Sequence, residues 1–264
     1  MLIDAHTHIS FNPETTATVP GLLEALDRAK IDKALVFAAD IFRCPTPKLL
    51  EAIKPHTNRL CAVGSLVPRH RNIENTEELA YLDAQFKAKT IYGLKIYTGY
   101  EHFYPDSEHF RRFLDLCEKY DKPAIFHSGD TFCKHQAAKL KYAHPLHIDD
   151  LATDRPNLKI VMAHLGWPWH RDAAEVLRKN PNVYTDCSGF VYGKFTPVDR
   201  IRFSKVLEEF FDIAETNDRI LFGSDWPISD PANYLETLGQ MLLPDLASKS
   251  SLVTQKLFGL KEYC

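Results

Sequence analysis

The sequence predicts an α/β chain folded as a parallel (β/α)8 barrel, and three observations carry that expectation. Eight short apolar runs alternate with longer amphipathic segments along the chain. The chain has 264 residues, close to the ~250 typical of such barrels. An open doubly wound sheet, the competing architecture, usually places a glycine-rich turn after its first strand. Here the first run leads straight into Asp4-Ala-His-Thr-His8.

The apolar runs are Leu2–Ile3, Ala34–Ala39, Leu60–Val67, Ile91–Tyr97, Ala124–Phe126, Ile160–Ala163, Val183–Tyr184 and Ile220–Phe222. Most are rich in valine, isoleucine and phenylalanine, as strands buried on both faces are. The segments between them carry helical spacing. Leu22, Ala25, Leu26 and Ala29 fall at i, i+3, i+4 and i+7, as do Phe110, Phe113, Leu114 and Cys117, and again Phe203, Val206, Leu207 and Phe210. Asp106 and Ser107 stand where a helix wants an N-cap. Pro197 and Pro231 stand at helix starts, where a missing N–H costs little. Right-handed crossovers would join the strands into one parallel sheet. With no linker, low-complexity stretch or repeat, residues 1–264 read as one domain.

Composition narrows the function. Hydrophobic residues make up 45% and charged residues 25%, with a net charge of −3. No basic block suggests a nucleic-acid partner. No apolar run approaches the ~18 residues that span a bilayer, and Asp4 and His6 interrupt any signal-peptide core. The six cysteines, Cys44, Cys61, Cys117, Cys133, Cys187 and Cys264, form no CxxC. They read as reduced thiols of a cytoplasmic protein, mostly core filler. The expected partner is a small-molecule substrate, and a homodimer is compatible with the sequence.

The residues that end the apolar runs are polar. The first run passes into His6 and His8, the second ends at Asp40, the fifth at His127, the sixth at His164, the seventh at Asp186 and the eighth at Asp225. Lys95 lies inside the fourth. In a barrel these ends form one rim, where active sites sit. His6 and His8, two apart on a strand, share a face with Asp4. Two imidazoles a few ångströms apart suit a zinc-type ion, and His127 and Asp225 are the natural candidates to complete the donor set. Asp4 is assigned a supporting role, orienting an imidazole. A structural metal is disfavoured because no cysteine stands at a ligand position.

Lys95 must be paired or functional, because a buried unpaired charge is costly. It could pair with Asp4 or Asp40, bind a substrate carboxylate, or become a carbamate that bridges two metals. The remaining histidines default to solvent exposure, with His102 and His170 near enough to the rim to reach a substrate. Arg43 or Arg71 could clamp an acid group. Trp167, Trp169 and Trp226 could stack on a ring or simply pack between helices.

Taken together, Asp4–His8, Gly93-Leu-Lys-Ile-Tyr97, Pro123-Ala-Ile-Phe-His-Ser-Gly129, Asn157-Leu-Lys-Ile-Val-Met-Ala-His-Leu-Gly166, Tyr184-Thr-Asp-Cys-Ser-Gly189 and Arg219-Ile-Leu-Phe-Gly-Ser-Asp-Trp-Pro227 resemble the amidohydrolase superfamily. The resemblance is to its amidohydrolase-2 branch of amidohydrolase-related proteins, which includes aminocarboxymuconate-semialdehyde decarboxylase. It covers nearly the whole chain. Lys256-Leu-Phe-Gly-Leu260 resembles the family's last helix, with Thr254 where the family often has asparagine. The resemblance implies a distorted (β/α)8 TIM barrel and one divalent metal, commonly Zn2+, held by His6, His8, His127 and Asp225. It implies that His164 sits beside the metal-bound water.

Two reactions follow from such a site. The first is hydrolysis of a small carboxylated amide, lactone or ester, with Asp225 moving the water proton and His164 orienting the water or stabilising the oxyanion. The second is metal-dependent, non-oxidative decarboxylation of an unsaturated or aromatic acid. A two-metal version would place His127 and His164 on a second ion beside carbamylated Lys95. A TatD-like nuclease begins with a similar His-x-His, but lysine stands at the fourth strand where that class places glutamate.

Overall fold

A computed structural model describes residues 1–12, 14–66, 76–131, 137–241 and 245–260. The elements alternate as the sequence predicts: β1 (Ile3–Thr7), α1 (Val19–Ala29), β2 (Lys33–Phe37), α2 (Thr46–Ile53), β3 (Leu60–Ser65), α3 (Thr76–Ala88), β4 (Ile91–Ile96), α4 (Glu108–Lys119), β5 (Ala124–Phe126), α5 (Leu146–Asp154), β6 (Ile160–Met162), α6 (His170–Lys179), β7 (Val183–Asp186), α7 (Pro197–Ala214), β8 (Ile220–Leu221), α8 (Pro231–Gln240) and α9 (Leu246–Phe258). The eight strands form one parallel sheet in sequence order. Hydrogen bonds from Ala5 N–H to Phe222 O (2.8 Å) and from His8 N–H to Trp226 O (2.7 Å) bring its two ends together. The fold is a (β/α)8 barrel.

Strand alternation divides the core in two. On β2, Ala34 and Val36 face the helices, whereas Leu35 and Phe37 face the barrel interior. Ile3, Ala5, Cys61, Val63, Ile125, Val161 and Leu221 join that interior. Leu257, Phe258 and Leu260, from the end of α9 and the residues after it, pack against the same interior cluster. Space there is tight. A Cβ on Gly93 would stand 2.9 Å from Ile125 Cδ1 and 3.2 Å from Phe258 Cε1.

The helix ends follow the expected chemistry. Ser107 caps α4, accepting from His109 N–H. Thr196 and Asp199 form a reciprocal capping box ahead of Pro197 on α7, and Asp230 caps α8 just before Pro231. Cys44, Cys61, Cys117 and Cys187 are buried and in no disulfide, as core filler would be. Among the described residues no helix is long and apolar enough to cross a membrane. Val67, His70, Arg71, Cys133, His135 and Cys264 lie outside the described residues.

Phe258 is 1% exposed and packs with the barrel interior. Phe258→Ala should therefore cost about 3–5 kcal/mol in urea unfolding. A loss below ~1 kcal/mol would contradict its placement in that cluster.

Candidate metal centre and active site

The rim gathers side chains from strands far apart in sequence. His6 lies on β1 and His8 one residue beyond it, on the same face. Asp225 follows β8, held at the left-handed φ of 60°, and its N–H donates to His6 O at 2.8 Å. Its Oδ1 lies 3.2 Å from His8 Nε2 and 3.6 Å from His6 Nε2. Ligands of one tetrahedral ion at ~2.0–2.2 Å would be separated from one another by about this much. The three atoms form one donor group within 4.8 Å of each other.

Each imidazole is fixed from behind. His8 Nδ1–H donates to Phe37 O (3.1 Å) and His6 Nδ1–H to Asp186 Oδ2 (2.9 Å). Both Nε2 lone pairs are thereby aimed at the group, the arrangement that second-layer acceptors impose on metal-binding histidines. Burial drives His6 down to about 3, with Asp186 opposing and Lys95 assisting, so its ring is a neutral donor at ordinary pH. Burial would raise Asp225, but its close contact with His8 and the nearby His6 and His164 outweigh it and hold the carboxyl well below the usual range. A neutral His6 imidazole and an ionised Asp225 carboxylate are donors of the kind a divalent ion requires.

A second layer centres on Asp186, at the end of β7. Besides His6, it accepts from the His164 and Ser188 backbone N–H groups, both at 3.1 Å, and from the Ser188 hydroxyl. Burial pushes this carboxyl up, but His6, then His164 and Lys95, carry it far down. Ser188 Oγ also stands 2.9 Å from His164 Nδ1, which further faces Ser188 O at 3.2 Å. With the hydroxyl proton on Asp186, both neighbours of His164 Nδ1 are acceptors. That nitrogen therefore carries the proton, and Nε2 is left as the lone pair. His164 and Leu165 take left-handed φ values of 63° and 52°, a conformation that non-glycine residues adopt at a cost of ~1–3 kcal/mol each. Gly189 lets this part of the rim close. A Cβ there would meet His164 Nδ1 at 2.8 Å and Asp225 Oδ2 at 2.9 Å.

These groups open onto a cavity of about 430 Å3, walled by Tyr97, Tyr100, Trp167, Phe190 and Tyr192 among others. Lys95 also lines it. The lysine is 1% exposed, its Nζ has no hydrogen-bond partner among the described residues, and it lies 5.4 Å from the ring centroids of Phe37 and Tyr97. Burial lowers it to about 8, against the pull of Asp186 and Asp225.

The structure sorts the residues expected from sequence. His6, His8 and Asp225 come together, and His164 and Lys95 line the same cavity. His127 lines it too, but stands outside the donor group. Its Nε2–H donates to Asp130 O at 2.8 Å, and its ring meets His164 edge-on at 5.0 Å. Burial, then His164 and Lys95, drive it well below the ordinary imidazole value.

Asp4 does not orient an imidazole. Its carboxyl accepts from His6 backbone N–H (3.1 Å), Ser224 N–H (3.0 Å) and Ser224 Oγ–H (2.6 Å), tying β1 to the end of β8. Burial raises it to about 7. Neither Asp4 nor Asp40 is bonded to Lys95. Arg43 is exposed on a left-handed turn and does not line the cavity; Trp169, Trp226, His102 and His170 do not line it either.

Six of the histidines expected at the surface, His56, His102, His109, His144, His147 and His170, are half-buried instead. Sequence reasoning passed over Ser188 and gave Asp186 no role. A signal was available: Asp186-x-Ser188 at the end of β7 repeats the alternation that Asp4-x-His6-x-His8 shows along and just past β1.

A parallel barrel with imidazole and carboxylate donors at the carboxyl rim of its strands is the architecture of a metal-dependent barrel enzyme. More particularly, residues 3–260 match the model of the family described as Amidohydrolase, and the chain belongs to that family. No curated protein matches it. Solved structures share its fold. A probable 2-pyrone-4,6-dicarboxylic acid hydrolase from Acinetobacter baumannii is 17% identical with a TM-score of 0.68, covering 98% of this chain and 99% of that one. An amidohydrolase from Burkholderia multivorans with bound zinc is 15% identical with a TM-score of 0.71, covering 99% and 100%. The 5-carboxyvanillate decarboxylase of Sphingomonas paucimobilis is 14% identical with a TM-score of 0.68, covering 98% and 99%.

Two outcomes test this geometry. Asp186→Asn, which weakens the hold on His6, should lower zinc affinity by roughly 10–100-fold in a competition titration; unchanged affinity would remove Asp186 from its supporting role. Lys95→Met should stabilise the metal-free protein. A base whose folded pKa of about 8 lies below its model value of 10.5 binds fewer protons folded than unfolded. Its cost is full below pH 8 and fades as pH rises toward 10.5. The variant should gain up to about 3 kcal/mol at pH 7, at ~1.4 kcal/mol per pKa unit, and less at pH 10. A variant less stable than wild type at pH 7 would show that Lys95 is paired.

Proposed function

We propose that the protein is a metal-dependent hydrolase that opens a small carboxylated ester, lactone or amide in the rim cavity. The observation carrying this reading is one cavity that pairs the His6–His8–Asp225 donor group with the unpartnered ammonium of Lys95. The donor chemistry, imidazole nitrogens and an ionised carboxylate, fits a divalent ion, with Zn2+ the first choice for borderline nitrogen and oxygen ligands. His6, His8 and Asp225 would hold it, and His127, through the Nδ1 that its bond to Asp130 O leaves uncommitted, is the fourth candidate. Bound there, the ion supplies a Lewis acid and lowers the pKa of water toward ~7.

The chain's own groups supply the rest. Lys95 takes the substrate carboxylate, which replaces a costly lone charge by a charge-assisted pair and draws the substrate to the bottom of the cavity. Asp225, kept ionised, accepts the proton of the attacking water and returns it to the leaving group. His164, with its Nδ1 proton committed to Ser188, offers Nε2 as an acceptor that orients that water. Trp167, Phe190 and Tyr97 enclose the body of the substrate and limit solvent.

Screening small carboxylated lactones, esters and amides should reveal turnover that chelation abolishes and Zn2+ restores. His164→Asn should then lose at least ~100-fold in kcat while keeping its metal by elemental analysis; full activity in that variant overturns the role given to His164. A decarboxylase is the second reading, favoured by the aromatic rings of Tyr100, Trp167, Phe190 and Tyr192 around the cavity. Release of CO2 from unsaturated or aromatic acids, without hydrolysis of any ester or amide, would select it.

A further inference from the structure

Trp167, a wall residue of the cavity, is held from outside it. Its backbone is pinned on both sides: N–H donates to His164 O (2.9 Å) and its carbonyl accepts from Asp130 N–H (2.5 Å). Its indole packs on Phe190, with centroids 5.0 Å apart and planes at 58°. The indole also stacks on His170, the first residue of α6, at 5.3 Å and 27°. His170 does not line the cavity, and its side chain is 12% exposed.

Both ring nitrogens of His170 face acceptors. Nε2 lies 2.7 Å from Glu209 Oε2 on α7, and Nδ1 lies 3.1 Å from Pro168 O. A neutral imidazole can donate from only one nitrogen, so satisfying both partners requires the imidazolium. Glu209 supplies its counter-charge and also pairs with Arg171 at 2.5 Å. A cation stacked on indole is attracted to the ring's electron-rich face. The same carboxylate therefore ties α6 to α7 and holds the charge against Trp167.

We propose that His170 and Glu209 are positioning residues for substrate binding: as an imidazolium–carboxylate pair they hold Trp167 in place as a wall of the cavity. Neither touches substrate. Their effect is on the shape of the pocket, and so on affinity rather than on the bond-breaking step. This rests on the cavity being the substrate site, but its first test does not.

A protonated imidazole in contact with indole quenches its emission. The chain has three tryptophans, so releasing one quenched indole raises total emission. His170→Gln keeps a donor for Glu209 and removes the cation. It should raise emission, and the rise should vanish when Trp167→Phe is the background. Glu209→Gln, which removes the counter-charge with little change of shape, should raise emission in the same way and covers the case in which His170→Gln does not fold. No rise in either variant, or an equal rise without Trp167, overturns the proposal. On any substrate found by the screen above, both variants should raise KM severalfold with kcat within about twofold. A fall in kcat at constant KM also overturns it. Failure of the screen itself would count against the hydrolase reading and leave the emission result standing.

Discussion

Closure of the barrel between its last strand and its first is the constraint on which the site depends. β8 is the shortest strand, only Ile220–Leu221, yet the chain continues alongside β1 for several residues. Ala5 N–H bonds to Phe222 O, Asp225 N–H to His6 O and His8 N–H to Trp226 O. Asp4 adds side-chain bonds to Ser224 within the same seam. These contacts set the register between the two ends of the chain. A slip of one residue would turn His6 and His8 to the opposite face, away from Asp225. The donor group is thus a product of the same hydrogen bonds that close the fold.

Closure alone would leave each imidazole free to rotate. The structure removes that freedom by giving the far nitrogen of each ring a fixed partner: Phe37 O for His8, Asp186 for His6 and Ser188 for His164. Asp186 does most of this. Its four accepted hydrogen bonds link β1, the turn after β6 and the residues after β7. Local strain accompanies the arrangement, in the left-handed backbone at His164, Leu165 and Asp225. Such conformations persist only where the surroundings over-determine them, and here two backbone-to-carboxylate bonds and the seam do so.

The barrel was legible in the sequence because its signals are local: eight apolar runs, helical spacing between them, and caps at Ser107 and ahead of Pro197 and Pro231. The same-face placement of His6 and His8 was legible for the same reason, since strand period is a property of two neighbouring residues. What could not be read depends on the neighbouring strand or on loop conformation. The partner of the His6 ring is Asp186 rather than Asp4 because β7 and β1 flank the short β8, which brings the end of β7 within reach of the His6 ring, whereas Asp4 turns toward Ser224 along the seam. The Nε2 of His127 is occupied by Asp130 O because the loop after β5 brings that carbonyl within reach. The half-burial of His109 and His170 likewise comes from tertiary contacts, Phe103 for one and Trp167 with Glu209 for the other.

The electrostatics of the rim explain why Lys95 can remain without a hydrogen-bond partner among the described residues. Two ionised carboxyls, Asp186 and Asp225, pull its charge into a site that burial would otherwise neutralise. Neither pairs with it directly, because one is consumed by His6, Ser188 and backbone donors and the other by the imidazoles of the donor group. The result is a cation stabilised at a distance and unsatisfied at close range. A salt bridge in this position would have been cheaper for folding. On the proposed reading, the cost of an ammonium facing an aromatic-walled cavity is offset when a substrate carboxylate pairs with it, which favours a negatively charged ligand.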